Sequence, residues 1–260
     1  MRHNQVVRRE FSKQAAKFGE KGYTLSSEEL LNWIIDSLPL AKEFRVLDVA
    51  AGTGHLSHAM SFHVREVVAI DLTPQMLSYA REEITRRSLD NISLEEGSAE
   101  KLPHEADCFD LVVSRLAIHH FQGPIIPLRE MVRVCKPNHK IGIIDLLSPD
   151  DEALAAIYNH LERLRDPSHT VALSKKQMEQ ILVTAGITVE KLEIRDVEVD
   201  FQRWVQMTET KLETVKVLKE ELMKDIQDGS QTGMRPFLKN GDLKFLQVWS
   251  VVIGAKNSKA

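Results

Sequence analysis

The chain has 260 residues, 43% of them hydrophobic, which is enough for one sizeable α/β domain with insertions but cramped for two full domains. Its 34 lysines and arginines and 38 aspartates and glutamates are mixed along the sequence and give a formal net charge of -4, which argues against a nucleic-acid partner and favours a small-molecule one. Because Cys108 and Cys135 are the two cysteines, a disulfide framework and a Cys-x-x-Cys metal site are excluded, and a reducing compartment is expected.

The N-terminal stretch, MRHNQVVRREFSKQ, carries positive charges but lacks the apolar segment of a signal peptide. No later apolar run approaches the length of a membrane span, so we expect a cytoplasmic protein. Ser26 and Glu29 form a predicted capping box ahead of a helix whose apolar positions begin at Leu30, and Pro39 ends that helix. One amphipathic helix therefore precedes the first predicted strand.

Five short apolar runs, separated by helical patterns, follow between residues 45 and 147. They read RVLDVA, EVVAID, NISLEE, FDLVVSRLAI and KIGIIDLL. Near-continuous valine and isoleucine runs that alternate with helices are typical of a parallel sheet buried on both faces. The sequence thus predicts an α/β fold.

After residue 147 the pattern changes to longer helical segments. Helices are predicted at about 151–165 and 174–185, the second ended by Gly186, and a strand is predicted at about 187–199. A charged helical region, RWVQMTETKLETVKVLKEELMKDIQDG, precedes a last strand, LKFLQVWSVVIGAK. We predict a single domain over 1–260, with a core at about 40–148, 174–199 and 240–256 and a helical cap at about 1–25, 149–173 and 200–239.

The first predicted strand ends in a glycine-rich turn that opens a helix, RVLDVAAGTGHLSHAM. Glycine lacks a Cβ, so the backbone at Gly52 and Gly54 is able to take positive φ angles and to approach a ligand closely. Asp71 ends the next strand, where a carboxylate is able to accept hydrogen bonds from both hydroxyls of a ribose. The turn and the acid together indicate a cofactor that contains adenosine.

Two other nucleotide-binding motifs are incomplete in this turn. A dinucleotide fingerprint places glycines where this chain has Ala50, Gly52 and His55, so two of the three glycines are missing. A P-loop ends in Gly-Lys-Ser or Gly-Lys-Thr, and GTGHLS contains no lysine. Dinucleotides and nucleoside triphosphates are therefore disfavoured as ligands.

Five motifs in order resemble those of class I S-adenosylmethionine-dependent methyltransferases. The glycine turn is followed by AIDLTPQMLSYAR, GSAEKLP, FDLVVSRLAIHHF and LREMVRVCKPNHKIGIID, in the order and spacing of the branch that includes the ubiquinone/menaquinone biosynthesis methyltransferases. The resemblance covers roughly Phe44 to Asp145. It implies a Rossmann-like, doubly wound sheet of seven mostly parallel strands, with an antiparallel last strand and helical cap insertions.

The resemblance also assigns residues to S-adenosylmethionine. Asp48 is expected near the cofactor's ammonium group, Asp71 at the ribose hydroxyls, and Leu72 with Met76 on either side of the adenine. The adenine edge is expected to meet Ser98, Ala99 and Glu100. The methionine end is expected to pass the turn and the following strand, at Ala50, Gly52, Thr53, Gly54, Ser114 and Arg115.

His119 and His120 follow the end of a predicted strand, where ligands bind in α/β proteins. A histidine there is able to act as a general base near neutral pH, and a packing or pocket-lining role is the alternative. His55 is expected to cap a helix or pack near the turn, because no second and third metal ligand accompany it at suitable spacing. No metal site is predicted.

The predicted activity is in-line transfer of a methyl group from S-adenosylmethionine to a small, partly apolar acceptor. That acceptor is inferred from aromatic residues in the predicted cap, Phe11, Phe18, Tyr23, Trp204 and Phe237. Further pocket candidates in the same region are Phe201, Val205 and Met207. An NAD-linked oxidoreductase of similar fold and a non-catalytic protein that binds an adenosyl ligand are the alternatives.

Overall fold

Strands and helices alternate through the first two-thirds of the chain, and longer helices separate the last strands. The structure, a computed structural model, describes residues 2–18 and 24–256. The helices are α1 (Arg2–Phe18), α2 (Glu28–Ser37), α3 (His55–Ser61), α4 (Pro74–Arg86), α5 (Ile125–Val134), α6 (Glu152–Arg165), α7 (Lys175–Ala185), α8 (Phe201–Met207) and α9 (Leu212–Asp228). The strands are β1 (Arg45–Val49), β2 (Glu66–Asp71), β3 (Ile92–Glu96), β4 (Phe109–Arg115), β5 (Cys135–Leu147), β6 (Ile187–Asp200), β7 (Phe237–Lys239) and β8 (Asp242–Lys256).

The strands form a single sheet in the order β3-β2-β1-β4-β5-β8-β6. Strands β1 to β5 run parallel to one another, and β8 runs antiparallel to both β5 and β6, as predicted. The sheet has one strand more than predicted, because the short β7 pairs with β8 across a tight turn at Asn240 and Gly241. Both turn residues have positive φ, which suits the two-residue hairpin turn that Asn-Gly favours.

Alternate residues of the central strands pack against helices on opposite faces of the sheet. Leu47 and Val49 belong to an apolar cluster shared with α5 and α7, whereas Val46 belongs to one shared with α2 and α3. Because side chains on successive strand residues point to opposite faces, burial of both sets requires helices on both sides. The doubly wound, Rossmann-like architecture follows from this burial.

A third apolar cluster joins helices α6, α8 and α9 to one end of strands β6 and β8. Tyr158, Trp204, Leu218, Phe245 and Trp249 are among its buried members. The helical segments predicted as a cap therefore share an apolar core with the sheet.

The helix α2 begins one residue later than the predicted capping box implies. Ser26 lies in a 3-10 turn, Thr24–Ser26, so its backbone is not extended as the capping position requires. Ser27 is extended, and its hydroxyl accepts a hydrogen bond from the backbone N–H of Leu30 at 3.4 Å. The prediction that Ser26 caps this helix with Glu29 is wrong.

The predicted helical region after residue 200 is two helices, α8 and α9. Glu209, between them, has a φ of 51°, which a continuous helix does not allow. Between residues 2 and 18 and between 24 and 256, no helix combines the length and apolar character needed to cross a membrane.

Candidate active site

A cavity lies at the carboxyl ends of the strands, where the strand order reverses between β1 and β4. This switch point is where open α/β sheets bind ligands. One end of the cavity, the turn-side end, is formed by residues 50–53, 71–73 and 97–100. The opposite end, the cap-side end, is formed by residues of β5, β6, β8, α8 and the segment after α6: Leu146, Arg165, Asp166, Val199, Arg203, Trp204, Met207, Gln247 and Trp249.

The glycine turn is held in place by Asp71. Ala50 and Gly52 both have a φ of 58°, and Gly52 has open space where a Cβ would stand. The backbone N–H of Gly52 and that of Thr73 each donate to one oxygen of the Asp71 carboxylate at 2.8 Å. Burial raises the pKa of Asp71, and these backbone N–H groups partly oppose the rise. Asp71 thus joins two loops while lining the cavity.

Asp48 is a second buried carboxylate on the cavity wall, only 1% exposed. Its Oδ2 accepts a hydrogen bond from the Ser57 hydroxyl at 2.6 Å, whereas Oδ1 has no hydrogen-bond partner among the described residues. Burial raises the pKa of Asp48 to about 7, although Ser57 and Arg115 oppose the rise. Burial also lowers the pKa of Arg115 to about 10. The carboxylate and the guanidinium both line the cavity.

Most residues predicted to hold the cofactor line the cavity, and three do not. The turn-side end brings together Ala50, Gly52, Thr53, Asp71, Leu72, Ser98, Ala99 and Glu100, with Asp48 and Arg115 beside them. Met76 is buried in α4 behind this wall, and Gly54 caps the start of α3. Ser114 is buried in β4, where its hydroxyl donates to the carbonyl of Val49 at 2.9 Å.

His119 and Asp145 form a buried pair beside the cavity. Nδ1 of His119 lies 2.5 Å from Oδ1 of Asp145, and because a carboxylate only accepts, Nδ1 carries the proton. The backbone N–H groups of Ile118 and Leu146 also donate to Asp145 at 2.7 Å. Burial opposes protonation of His119, but the Asp145 carboxylate outweighs it and raises the pKa of His119.

His120 has the opposite electrostatic environment. Its Nδ1 lies 3.1 Å from the carbonyl of Ser168, in the segment after α6. Burial and the neighbouring His119 lower the pKa of His120 to about 3. His120 is therefore neutral near pH 7, and it ties the turn after β4 to the cap.

One face of α1 covers the cavity. Asn4, Val7, Phe11, Gln14 and Phe18 recur at intervals of three and four residues and all line it. This helix is linked to the turn at its end, because the ring Nε2 of His55 lies 2.6 Å from the carbonyl of Phe18. The expectation that His55 caps or packs near the turn agrees with this contact.

The residues predicted for the acceptor pocket lie in different places in the structure. Phe11, Phe18, Trp204 and Met207 line the cavity. Phe201 and Val205 are buried in the apolar cluster behind it, and Phe237 lies in β7. Tyr23 lies outside the described residues.

Within residues 2–18 and 24–256, no group of three or more histidine, cysteine, aspartate or glutamate side chains is arranged to hold a metal ion.

Comparison with known proteins identifies the family. A methyltransferase domain model matches residues 40–220, which is well over half of the chain. The chain belongs to the class I S-adenosylmethionine-dependent methyltransferases. The family predicted from the sequence motifs, its Rossmann-like fold, its enzymatic class and S-adenosylmethionine as its cofactor are confirmed.

Several relatives of this methyltransferase are similar over most of their length. YcgJ of Bacillus subtilis, an uncharacterized methyltransferase, is 30% identical over 196 residues, which are 75% of this chain and 77% of YcgJ. The crystal structure of YcgJ covers 89% of this methyltransferase and 100% of its own chain, with a TM-score of 0.82 and 26% identity. The structure of BH2331 from Bacillus halodurans C-125 has a TM-score of 0.81 and 28% identity, and the match covers 88% of this chain and 99% of that one.

The similarity to the quinone-methylating branch is more local. The ubiquinone/menaquinone biosynthesis C-methyltransferase UbiE of Pectobacterium carotovorum is 33% identical over 119 residues, which are 44% of this methyltransferase and 47% of UbiE. The match therefore leaves more than half of each chain outside it.

Sequence reasoning missed several residues that line the cavity of this methyltransferase. Gln14, Arg165, Asp166, Gln247 and Trp249 come from four separate elements or loops, and no motif joins them. The spacing of Phe11 and Phe18 on α1 was a usable signal, since residues seven apart lie on one helical face. Asp145 ends the last motif of the resemblance, but its contact with His119 requires the sheet to bring β4 and β5 together.

Proposed function

We propose that this enzyme transfers the methyl group of S-adenosylmethionine to a small-molecule acceptor at the cap-side end of the cavity. The observation that carries the proposal is the continuous cavity, which begins at the glycine turn and ends between α1, α8 and β8. A transfer between two small molecules needs both in one enclosed space with fixed orientation. The turn-side end would hold the donor and the cap-side end the acceptor.

Polar atoms left unpaired on the cavity wall support this use of the turn-side end. Oδ1 of Asp48 and Oγ1 of Thr53 are buried and make no hydrogen bond within the described parts of the chain. Buried polar atoms are rarely left unpaired in native proteins, so a ligand that supplies hydrogen bonds is expected here. Each Asp71 oxygen accepts one backbone hydrogen bond and retains capacity for another, as ribose hydroxyls would require. These residues fit S-adenosylmethionine.

We assign the donor's contacts accordingly. Asp48 would accept from the ammonium group, Asp71 from the ribose hydroxyls, and Leu72 would cover one side of the adenine. Ser98, Ala99 and Glu100 would meet the adenine edge. Four residues in and near the turn would border the methionine end: Ala50, Gly52, Thr53 and Arg115. Met76, Gly54 and Ser114 would shape the wall from behind.

When bound, S-adenosylmethionine supplies a methyl group already activated by its sulfonium. The protein then needs mainly to align the acceptor in line with that methyl group and to exclude water, and proximity alone is worth roughly 7–11 kcal/mol. The face of α1 and the side chain of Trp249 line the cavity and contribute to excluding water. No protein nucleophile is needed for this chemistry.

We assign the role of general base to His119 where the acceptor must lose a proton. With its Nδ1 proton donated to Asp145, His119 keeps Nε2 as its basic atom. The Asp145 carboxylate raises the pKa of His119, whereas the pKa of His120 is about 3 and makes it a weak base. His120 is assigned to positioning the segment after α6.

The acceptor is proposed to be partly apolar and not a nucleic acid. Aromatic and aliphatic side chains such as Phe11, Val199 and Met207 dominate the wall beyond the turn-side end. Transfer to RNA with no transfer to small aromatic or amine compounds would contradict this proposal. A cytoplasmic location is proposed on the ground that Cys108 and Cys135 are both free thiols.

The test is calorimetric titration of the purified protein with S-adenosylmethionine, S-adenosylhomocysteine and NAD, followed by a methyl-transfer screen. We expect micromolar binding of both adenosyl ligands, none of NAD, and transfer to at least one small molecule. Binding of NAD alone would favour an oxidoreductase of similar fold. Binding of the adenosyl ligands without transfer to any acceptor would favour a non-catalytic binding protein.

A further inference from the structure

We propose that the cap-side end of the cavity is a recognition subsite for a carbonyl-type oxygen of the acceptor, held by the indole N–H of Trp204 and the amide of Gln14. The oxygen belongs to a ketone, amide, ester or carboxylate on an otherwise largely apolar molecule. The inference rests on the proposed function, because it describes the acceptor of that same reaction.

Trp204 supplies the first observation. The side chain is 6% exposed and lines the cavity, yet its Nε1 has no hydrogen-bond partner among the residues described. An indole nitrogen only donates, so the missing partner must be an acceptor atom. Phe245 packs against the ring with a centroid separation of 4.9 Å, and the guanidinium of Arg165 lies 5.1 Å from the ring centroid. The N–H is therefore fixed in direction before a ligand arrives.

In the same fold, the indole N–H groups of the other two tryptophans of the chain both have hydrogen-bond partners. Nε1 of Trp33 donates to Glu193 at 2.9 Å, and Nε1 of Trp249 donates to Gln247 at 3.2 Å. An unpaired buried N–H costs free energy, so it persists where function requires it or a ligand completes it. Of the two indoles at the cap-side end, that of Trp249 has a partner within the protein, and that of Trp204 has none among the described residues.

Gln14 supplies an independent donor from α1. It is 2% exposed and lines the same cavity, and its Nε2 is also buried without a partner in residues 2–18 and 24–256. Helices α1 and α8 are neighbours, joined where Nζ of Lys17 donates to the carbonyl of Gln206 at 2.9 Å. Gln14 precedes Lys17 by one helical turn, and Trp204 precedes Gln206 by two residues. Two unpaired N–H groups on adjoining helices favour a ligand oxygen, which has two lone pairs.

The Arg165 guanidinium at this end does not require an anionic ligand, because two carboxylates of the protein already pair with it. The Arg165 guanidinium is already paired with Glu162 at 3.0 Å and with Asp166 at 3.8 Å. Leu146, Val199 and Met207 add apolar surface around it.

Matched fragment sets test the proposal on the full chain saturated with S-adenosylhomocysteine. Each set has one member with a ketone or amide C=O, one with CH₂ in its place, and one with a carboxylate, and dissociation constants are measured by saturation-transfer NMR. We expect C=O or carboxylate members to bind at least about tenfold more tightly than the CH₂ member, because the analogue leaves buried donors unpaired. Comparison of the C=O and carboxylate members identifies which oxygen the subsite prefers. Equal binding of all three, or no binding of any set, would overturn the proposal.

Two variants and a control attribute the preference to named groups. Trp204→Phe keeps a ring and removes the N–H, and it should reduce the tenfold preference to about one. Gln14→Leu removes the second donor and should reduce the preference in the same direction, which preserves the test if Trp204→Phe folds poorly. Trp33→Phe removes an indole N–H outside the cavity and should leave the preference unchanged. A preference retained in both cavity variants would contradict the assignment.

Failure of the proposed function gives a different result from failure of this subsite. Fragment selectivity that disappears in Trp204→Phe, combined with no methyl transfer to any compound, would support the subsite and contradict the enzymatic proposal. Methyl transfer to acceptors regardless of a C=O group would support the enzyme and overturn the subsite.

Discussion

Asp71 joins two loops through one carboxylate, and we propose that the same carboxylate binds the ribose of the cofactor. It fixes the glycine turn through Gly52 and the following helix start through Thr73. A residue that both shapes a site and binds its ligand should affect stability and affinity together when it is changed. Separating the two effects requires a control acid that only shapes structure.

Asp71→Asn should weaken S-adenosylhomocysteine binding by roughly 10- to 100-fold, since hydrogen bonds to a charged group contribute about 1.5–3 kcal/mol. Asp110→Asn is the matched control, because Asp110 accepts from the backbone N–H of Arg45 at 2.8 Å and pairs with Lys136 at the start of β4, outside the cavity. Both variants should lose stability in urea unfolding, and calorimetry should find an affinity loss in Asp71→Asn alone. Unchanged affinity in Asp71→Asn would refute the ribose assignment.

The His119–Asp145 pair predicts the pH dependence of kcat/KM for an acceptor that must be deprotonated. The active form has neutral His119, and because Asp145 raises the pKa of His119, activity should rise with pH through a midpoint above 6.5. Asp145→Asn removes the raising charge while burial remains, so the midpoint should move to lower pH. His119→Ala should reduce kcat by about 10²- to 10⁴-fold without changing S-adenosylhomocysteine affinity.

His139→Ala is the control for this profile, since His139 pairs with Asp110 at 3.4 Å, away from the cavity. Its profile should match that of the unaltered enzyme. A midpoint that stays in place in Asp145→Asn would show that His119 is not the titrating base.

At the residue scale, the site residues that could be predicted from the sequence are those with a characteristic local spacing. Asp48 and Asp71 could be predicted as site residues from the sequence, because each has a fixed position relative to the glycine turn. Trp204 was a pocket candidate from its neighbourhood, but its unpaired N–H is visible only in the fold. Asp145 and Gln14 are brought to the site by tertiary structure. Asp145, for example, lies 26 residues from its partner His119 in the chain.

Among the elements, strand β8 is tightly constrained by packing at Gly254. A Cβ on Gly254 would lie 2.3 Å from Cγ2 of Ile187 and 2.8 Å from the backbone oxygen of Thr188. The isoleucine is buried and the oxygen is backbone, so neither moves cheaply. Glycine at this position is required by the close approach of β6.

Gly254→Ala should therefore lower the free energy of unfolding by about 3 kcal/mol, in the range for overpacking. Gly123→Ala is the matched control, because it has open space for a Cβ and lies outside the strands. Urea denaturation measures both, and equal stability of the two variants would contradict the packing argument.

The elements that sequence patterns located well have strong periodicity or clear end signals. Helix α7 ends at Gly186, which has a φ of 95°, as predicted from the glycine alone. The segment between α8 and α9 contains no glycine or proline, so no residue in it marked the end of one helix and the start of the next. Helix α1 was not assigned because Asn4 and Gln14 interrupt its apolar face, and that face is polar because it borders the cavity.

At the scale of the whole molecule, α1 connects the two ends of the cavity. Asn4 donates to Glu100 at 3.3 Å and Arg8 pairs with Glu96 at 2.6 Å, both near the turn-side end. At its other end, Lys17 pairs with Glu209 at 2.9 Å, next to α8. These surface contacts are individually weak, so ligand contacts should add substantially to the order of this helix.

Hydrogen exchange at the α1 amides should slow when S-adenosylhomocysteine binds, because opening the helix would then expose the ligand. Helix α9 packs against α6 away from the cavity and serves as the internal control. Mass spectrometry of exchange with and without ligand provides the measurement. Equal slowing in both helices would indicate global stabilisation, and no slowing in α1 would contradict its role in covering the site.

At this scale the doubly wound architecture of the sheet could be predicted from the sequence, and the shape of the cavity could not. Alternating apolar runs and helices limit the topology to a doubly wound sheet, because both faces need cover. The cavity depends on how α1, α8 and the segment after α6 meet over the sheet, and those contacts join residues more than 150 positions apart. Contacts between residues so far apart in the chain leave no pattern in the local sequence.

The position of β8 also sets the order in which the protein is completed during synthesis. Strand β6 pairs only with β8 among the described strands, so its edge has no partner until residues 242–256 leave the ribosome. Until then the apolar cluster of the cap also lacks Phe245 and Trp249. Strands β3, β2, β1 and β4 have their strand partners once β5 is made, whereas β5 also pairs with β8 and, like β6, lacks that partner until then. The nascent chain thus carries two unpaired strand edges, on β5 and β6, and unpaired strand edges of this kind are where chaperones bind and aggregation begins.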